Sequence, residues 1–133
     1  MLIAKLAWAL AAVSAPQAAP GPDADWMFLV ESESGIRYDY DSASIVRKGD
    51  IVAFWIRADF TGAEDTKADD PAESHSREEI DCAASTIRLR EMIDLDEDGK
   101  ETFHFSLSEA ETKWLDISDG SIAAAKFLKL CVR

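Results

Sequence analysis

The sequence predicts an α+β fold, an antiparallel meander sheet of about six strands with a C-terminal helix tethered to it by a disulfide. Three observations carry this. Short β-prone runs follow one another with turn residues between them, the hydrophobic period changes from two to 3.6 only near the C-terminus, and one of the two cysteines lies in each region. The 133 residues suit one domain. Hydrophobic residues at 47% give enough apolar material for a core. The net charge of −12 repels phosphate backbones and anionic lipid, so nucleic acid is excluded as a natural partner.

The chain opens with Lys5, an apolar run over residues 6–13, and then the small residues Ser14, Ala15, Ala18 and Ala19 broken by Pro16. This is the pattern of a secretory signal over residues 1–19, with cleavage after Ala15 or as late as Ala19. The apolar run is far shorter than the ~20 residues a helix needs to cross a bilayer, so no membrane span is expected after cleavage. The first cysteine is Cys82, so no lipid-attachment cysteine follows the run. An exported protein, periplasmic or secreted, is the expectation. Residues 20–25 are a turn-rich linker, and the domain spans 26–133.

Within the domain, residues 26–31 and 36–40 read as a hairpin around Gly35. Side-chain to backbone bonds can turn the chain at 41–44, and a second turn follows at 47–50. In the longest strand, 51–60, Val52, Phe54, Ile56, Ala58 and Phe60 alternate with Ala53, Trp55, Arg57 and Asp59, so one face is apolar and the other mixed. The acidic stretch 61–76, broken by Pro71, reads as a mobile loop. Strands resume at 77–83, 86–93 and 102–107, the last two joined by a turn at 96–99. Ser121 can cap a helix whose buried stripe is Ala124, Phe127, Leu128 and Cys131, with Lys126, Lys129 and Arg133 on the opposite side.

Two cysteines in an oxidising compartment allow one intramolecular bridge, Cys82 to Cys131. A redox pair or a zinc site would need C-x-x-C spacing and histidine partners that the chain lacks.

Several constellations invite chemistry. Asp94, Asp96 and Asp98, followed by Gly99, match the start of a D-x-D-x-D-G calcium loop. The twelfth position, where that loop needs a bidentate Glu, is Phe105, so an acidic hairpin turn competes with a weak calcium site. His75 and His104 are too few and too separated for a metal motif. His75 and Ser76 beside aspartates suggest a hydrolase triad, but in a loop that would not preorganise it. Lys48, Gly49 and Asp50 resemble an integrin-type tripeptide and equally suit a turn. Trp26 and Trp114 read as core. Trp55 lies on the mixed face of its strand and is the candidate exposed aromatic, on a face that could carry a ligand or build a homodimer.

The segments GIRYDYD (35–41), SIVRKG (44–49) and VAFW (52–55), with Trp26, Asp81-Cys82, Asp98-Gly99, Trp114, Gly120-Ser121 and Cys131, resemble the surface-adhesin protein E-like family of small exported bacterial proteins. The resemblance spans essentially the whole domain. It implies a binding module with no catalytic residues and no cofactor, acting on a protein partner. The expected function is therefore a non-catalytic, exported adhesin-like binding protein of the bacterial envelope. A soluble periplasmic accessory protein docking on an envelope component is the alternative, and a calcium-binding module the third reading.

Overall fold

The structure, a computed structural model, describes residues 21 and 23–132. The expected signal segment, residues 1–19, lies outside these residues, as does Arg133.

The strands are β1 (Trp26–Glu31), β2 (Arg37–Asp41), β3 (Val46–Lys48), β4 (Ile51–Asp59), β5 (Glu73–Asp81), β6 (Thr86–Leu95), β7 (Glu101–Ser106) and β8 (Leu115–Asp116), followed by helix α1 (Ile122–Leu130). They form one sheet in the order β1-β2-β4-β5-β6-β7. Every pairing is antiparallel. The expected six-position meander is therefore present, with two positions split between segments. Tyr40 of β2 pairs with Ile56 and Val46 of β3 with Ala53, so both line one edge of β4. In the same way β7 and β8 share the outer edge of β6.

Local chemistry explains the corners. Between β2 and β3 the buried Asp41 accepts hydrogen bonds from the N–H of Asp25 at 2.8 Å and of Ala43 at 3.0 Å. Burial raises its carboxyl, but bonds from the Ser44 side chain and these two backbone groups outweigh that and hold it below the ordinary aspartate value. At the β1–β2 turn Gly35 has φ +92, and an added Cβ would lie 2.7 Å from the carbonyl oxygen of Gly62. The acidic loop is thereby pressed against the hairpin, where the Glu64 N–H donates to the Ser34 carbonyl at 2.9 Å.

The core lies between one sheet face and the helix. Tyr40, Val52, Phe54, Ile56, Ile80 and Leu130 are its buried centre, with Leu29, Ile45, Ile87, Ile117 and Phe127 packed around them. Each fully buried side chain of this size contributes about 1.5–3 kcal/mol. The helix is capped by Ser121, whose hydroxyl oxygen accepts from the Ala124 N–H at 3.0 Å. At its other end Arg47 donates to the Leu130 carbonyl at 2.6 Å. The Cys82–Cys131 disulfide, with a Cα–Cα distance of 5.6 Å, ties that end to the sheet.

Three expectations need correction. The loop is shorter than 61–76, because β5 already begins at Glu73 and pairs with β4 and β6 along its whole length. Ser74, His75 and Ser76 lack apolar periodicity, and their neighbours rather than their own propensity make them a strand. Residues 46–48, expected partly in a turn, form the short strand β3, leaving the turn to Gly49. The helix is also rotated from the expected stripe: Lys126 and Leu130 are buried while Leu128 is 67% exposed. The cause is a polar strip under the helix. On β5, Glu78 lies beside Phe54 and Ser76 beside Ile56, and the Glu78 carboxylate receives the Lys126 ammonium at 2.7 Å.

Candidate functional site

The sheet face opposite the helix is a lattice of charges. In one row across the sheet stand Asp39, Arg57, His75, Ile93 and His104; in the next, Trp55, Arg77, Glu91 and Ser106. Arg57 pairs with Asp39 at 2.8 Å, Arg77 with Glu91 at 3.4 Å, Arg88 with Glu79 at 2.6 Å and Arg90 with Glu79 at 3.3 Å. His104 lies 2.7 Å from Glu91, and His75 lies 3.0 Å from Glu73. Each of these basic side chains already faces a carboxylate, so the lattice serves as cross-strand support.

Trp55, expected as an exposed binding aromatic, is fully buried in this face. It stands two residues before Arg57 on its own strand and opposite Arg77 on β5, and alternation along its own strand could not reveal its burial. Its Nε1 has no hydrogen-bond partner. Trp55 therefore offers no exposed aromatic on this face. Trp26 and Trp114, expected in the core, instead cover arginines at the margins. The Arg57 guanidinium lies 4.8 Å from the Trp26 ring and that of Arg88 lies 4.2 Å from the Trp114 ring.

At the end of the sheet where the acidic loop meets the β6–β7 turn is a cleft of about 670 Å³. Phe60, Pro71 and Ala72 supply apolar lining, and Asp69, Asp96 and Asp98 supply charge. The three calcium candidates do not converge there. Asp94 accepts from the Ser74 hydroxyl on the core face, and Asp96 accepts from the N–H of Asp98 and of Lys100, both at 2.9 Å. Among the described residues, no three His, Cys, Asp or Glu side chains are grouped to hold a metal ion. At the end of β4 nearby, burial raises Asp59, but the Thr61 hydroxyl and N–H, with Arg57 and Arg37, hold it below the ordinary value.

The other motifs resolve into structural roles. Successive strand residues point to opposite faces, so Ser76 turns to the helix side and donates to Glu78 at 2.6 Å, while the His75 ring lies 5.2 Å from that of Trp26. They do not form a dyad. Lys48 and Asp50 flank Gly49, whose φ is +63, at the turn into β4. The Glu78–Lys126 pair was not anticipated, since its members lie 48 residues apart. Beside it, burial and then the Glu78 charge push the Tyr38 hydroxyl above its ordinary pKa.

The sheet also has an unusual margin. Among the described residues β1 pairs with β2 alone, and its first five residues, WMFLV, carry no charge. Phe28 is 52% exposed and Met27 44%. Strand order decides this exposure, and strand order is not written in a local run of residues.

Comparison with known proteins follows the same outline. The surface-adhesin protein E family model matches residues 26–132. Among solved structures, the chain is similar to Haemophilus influenzae protein E in crystal form II, at 14% identity and a TM-score of 0.57, over 90% of this chain and 96% of that one. A second structure of Haemophilus influenzae protein E matches at 14% identity and a TM-score of 0.55, over 90% of each chain. No curated protein matches the sequence. The family match extends over both cysteines and every strand and helix described above, and the chain belongs to the surface-adhesin protein E family.

Proposed function

We propose that this protein is an exported, non-catalytic adhesin-like binding protein of the bacterial envelope, acting on a protein partner without a cofactor. The observation that carries the reading is the family match over residues 26–132. The side chains that could have done chemistry support it, because His75, Ser76, Asp94 and Asp96 are committed to separate structural partners. The signal-like start over residues 1–19 supports export, with residues 26–133 as the one mature domain. No helix among the described residues is long and apolar enough to cross a membrane.

The test is protease digestion on intact cells, compared with the same cells after outer-membrane permeabilisation. Cleavage on intact cells is the expected result. Protection until permeabilisation would overturn the surface role and make the protein a periplasmic accessory of another envelope component.

A further inference from the structure

Among the described residues, the outer edge of β1 is a row of backbone groups with no neighbour strand. Among the described residues, the backbone bonds outside the strand ladders involve none of residues 26–31. Exposed edges invite pairing, and folded proteins commonly blunt them with charge, proline or a covering segment. The opposite margin is blunted in this way, since β7 carries Glu101 and His104 and follows Lys100. β1 has no such residue between Trp26 and Val30, although a bulge interrupts its pairing between Phe28 and Val30. Both its faces are apolar. Trp26 and Phe28 lie with Asp41 and Asp39 on the lattice side, while Met27 and Val30 lie with Tyr40 and Tyr38 on the helix side. Leu29 packs on the core.

We propose that this edge accepts an extended segment of a partner protein as an added strand, apolar at alternate positions and flanked by Lys or Arg. The backbone groups of β1 supply affinity, and Met27 and Phe28 supply apolar surface on either side of the new strand. Charge identifies the occupant. Asp23 and Asp25 precede β1, while Glu31 and Glu33 stand at its other end. Glu64 is bonded to the hairpin at that same end. A second copy laid antiparallel would bring acids against acids at both ends, between molecules each carrying −12. Basic flanks turn this repulsion into attraction. The arginines that reach β1 are already paired: Arg37 lies 4.8 Å from the Phe28 ring and Arg57 4.8 Å from the Trp26 ring, and both bind Asp39, at 3.0 and 2.8 Å.

This inference rests on the binding-protein reading and is tested separately from it. Two synthetic peptides with the same alternating Val-Thr centre, one flanked by lysines and the other by glutamates, are titrated into the isotope-labelled protein while amide exchange is followed. The lysine-flanked peptide is expected to slow exchange along β1 and not along β7. At low salt it should bind at least about tenfold more tightly than the glutamate-flanked one, with the difference closing near 1 M salt. Phe28→Lys and Met27→Lys, both at exposed positions, should each weaken binding about tenfold or more while the protein stays folded.

Unchanged β1 exchange, equal affinity for the two peptides, or a dimer abolished by Phe28→Lys would overturn the proposal. The dimer result would put a second copy on the edge. A negative peptide result together with cleavage on intact cells removes the added strand alone. Peptide binding without cleavage on intact cells removes the surface role alone.

Discussion

Lys126→Met removes the ammonium from beneath the helix and leaves the Glu78 carboxylate in place. The two side chains are only 10% and 11% exposed, and their atoms meet at 2.7 Å. Once Lys126 is gone, the Ser76 hydroxyl at 2.6 Å remains as the carboxylate's hydrogen-bond donor. Breaking one side of a buried pair costs about 3–5 kcal/mol, against a total stability of about 5–15 kcal/mol for a domain. The surviving hydroxyl bond and slight exposure place the expected loss near the lower end, about 3 kcal/mol. The assay is equilibrium unfolding in urea with the disulfide intact, and a parallel thermal melt should show a Tm lower by about 12 °C or more. The double variant Glu78→Leu with Lys126→Met removes both charges and should return to within about 1 kcal/mol of the native protein. A loss below about 1 kcal/mol in Lys126→Met, or a double variant as unstable as the sum of the single ones, would refute the reasoning.

Further outcomes follow from other features. Replacing Cys82 and Cys131 by Ser opens a closure of 49 residues and should cost about 4 kcal/mol, read as a lowered urea midpoint; an unchanged midpoint would contradict it. Asp41 has its folded pKa below the unfolded one, so its stabilisation is full above about pH 4 and is lost as pH falls through the lower folded value. Asp41→Asn should therefore be less stable at neutral pH and lose less stability on acidification, and parallel urea midpoints across pH would sink this account. Gly35→Ala meets both a positive φ and the Gly62 carbonyl oxygen, and should cost about 1–3 kcal/mol. A melting temperature equal to that of the native protein would show the contact to be soft.

The meander was legible because its signals are local. The alternation of β4, the glycine of the first hairpin and the acidic turn into β7 each announce themselves within a few residues, and the cysteine count specified the bridge. What was not legible depends on distant partners. The start of β5 is polar on both faces and is a strand because β4 and β6 flank it. Lys126 looked like a solvent-facing residue because Glu78, the group that permits its burial, lies on another element. Trp55 looked exposed because the alternation of its own strand says nothing of what the neighbouring strand places beside it.

The helix that closes the core follows every strand in chain order among the described residues. The sheet can pair hairpin by hairpin as it is synthesised, but Val52, Phe54, Ile56 and Ile80 have no roof until residues 122–130 have emerged. Until then the unfinished sheet presents an open, greasy surface that a chaperone can hold and that a neighbouring unfinished chain can stick to. Deleting residues 122–130 would perpetuate that condition, so an intact helix should matter more to the yield of this protein than any loop in its middle.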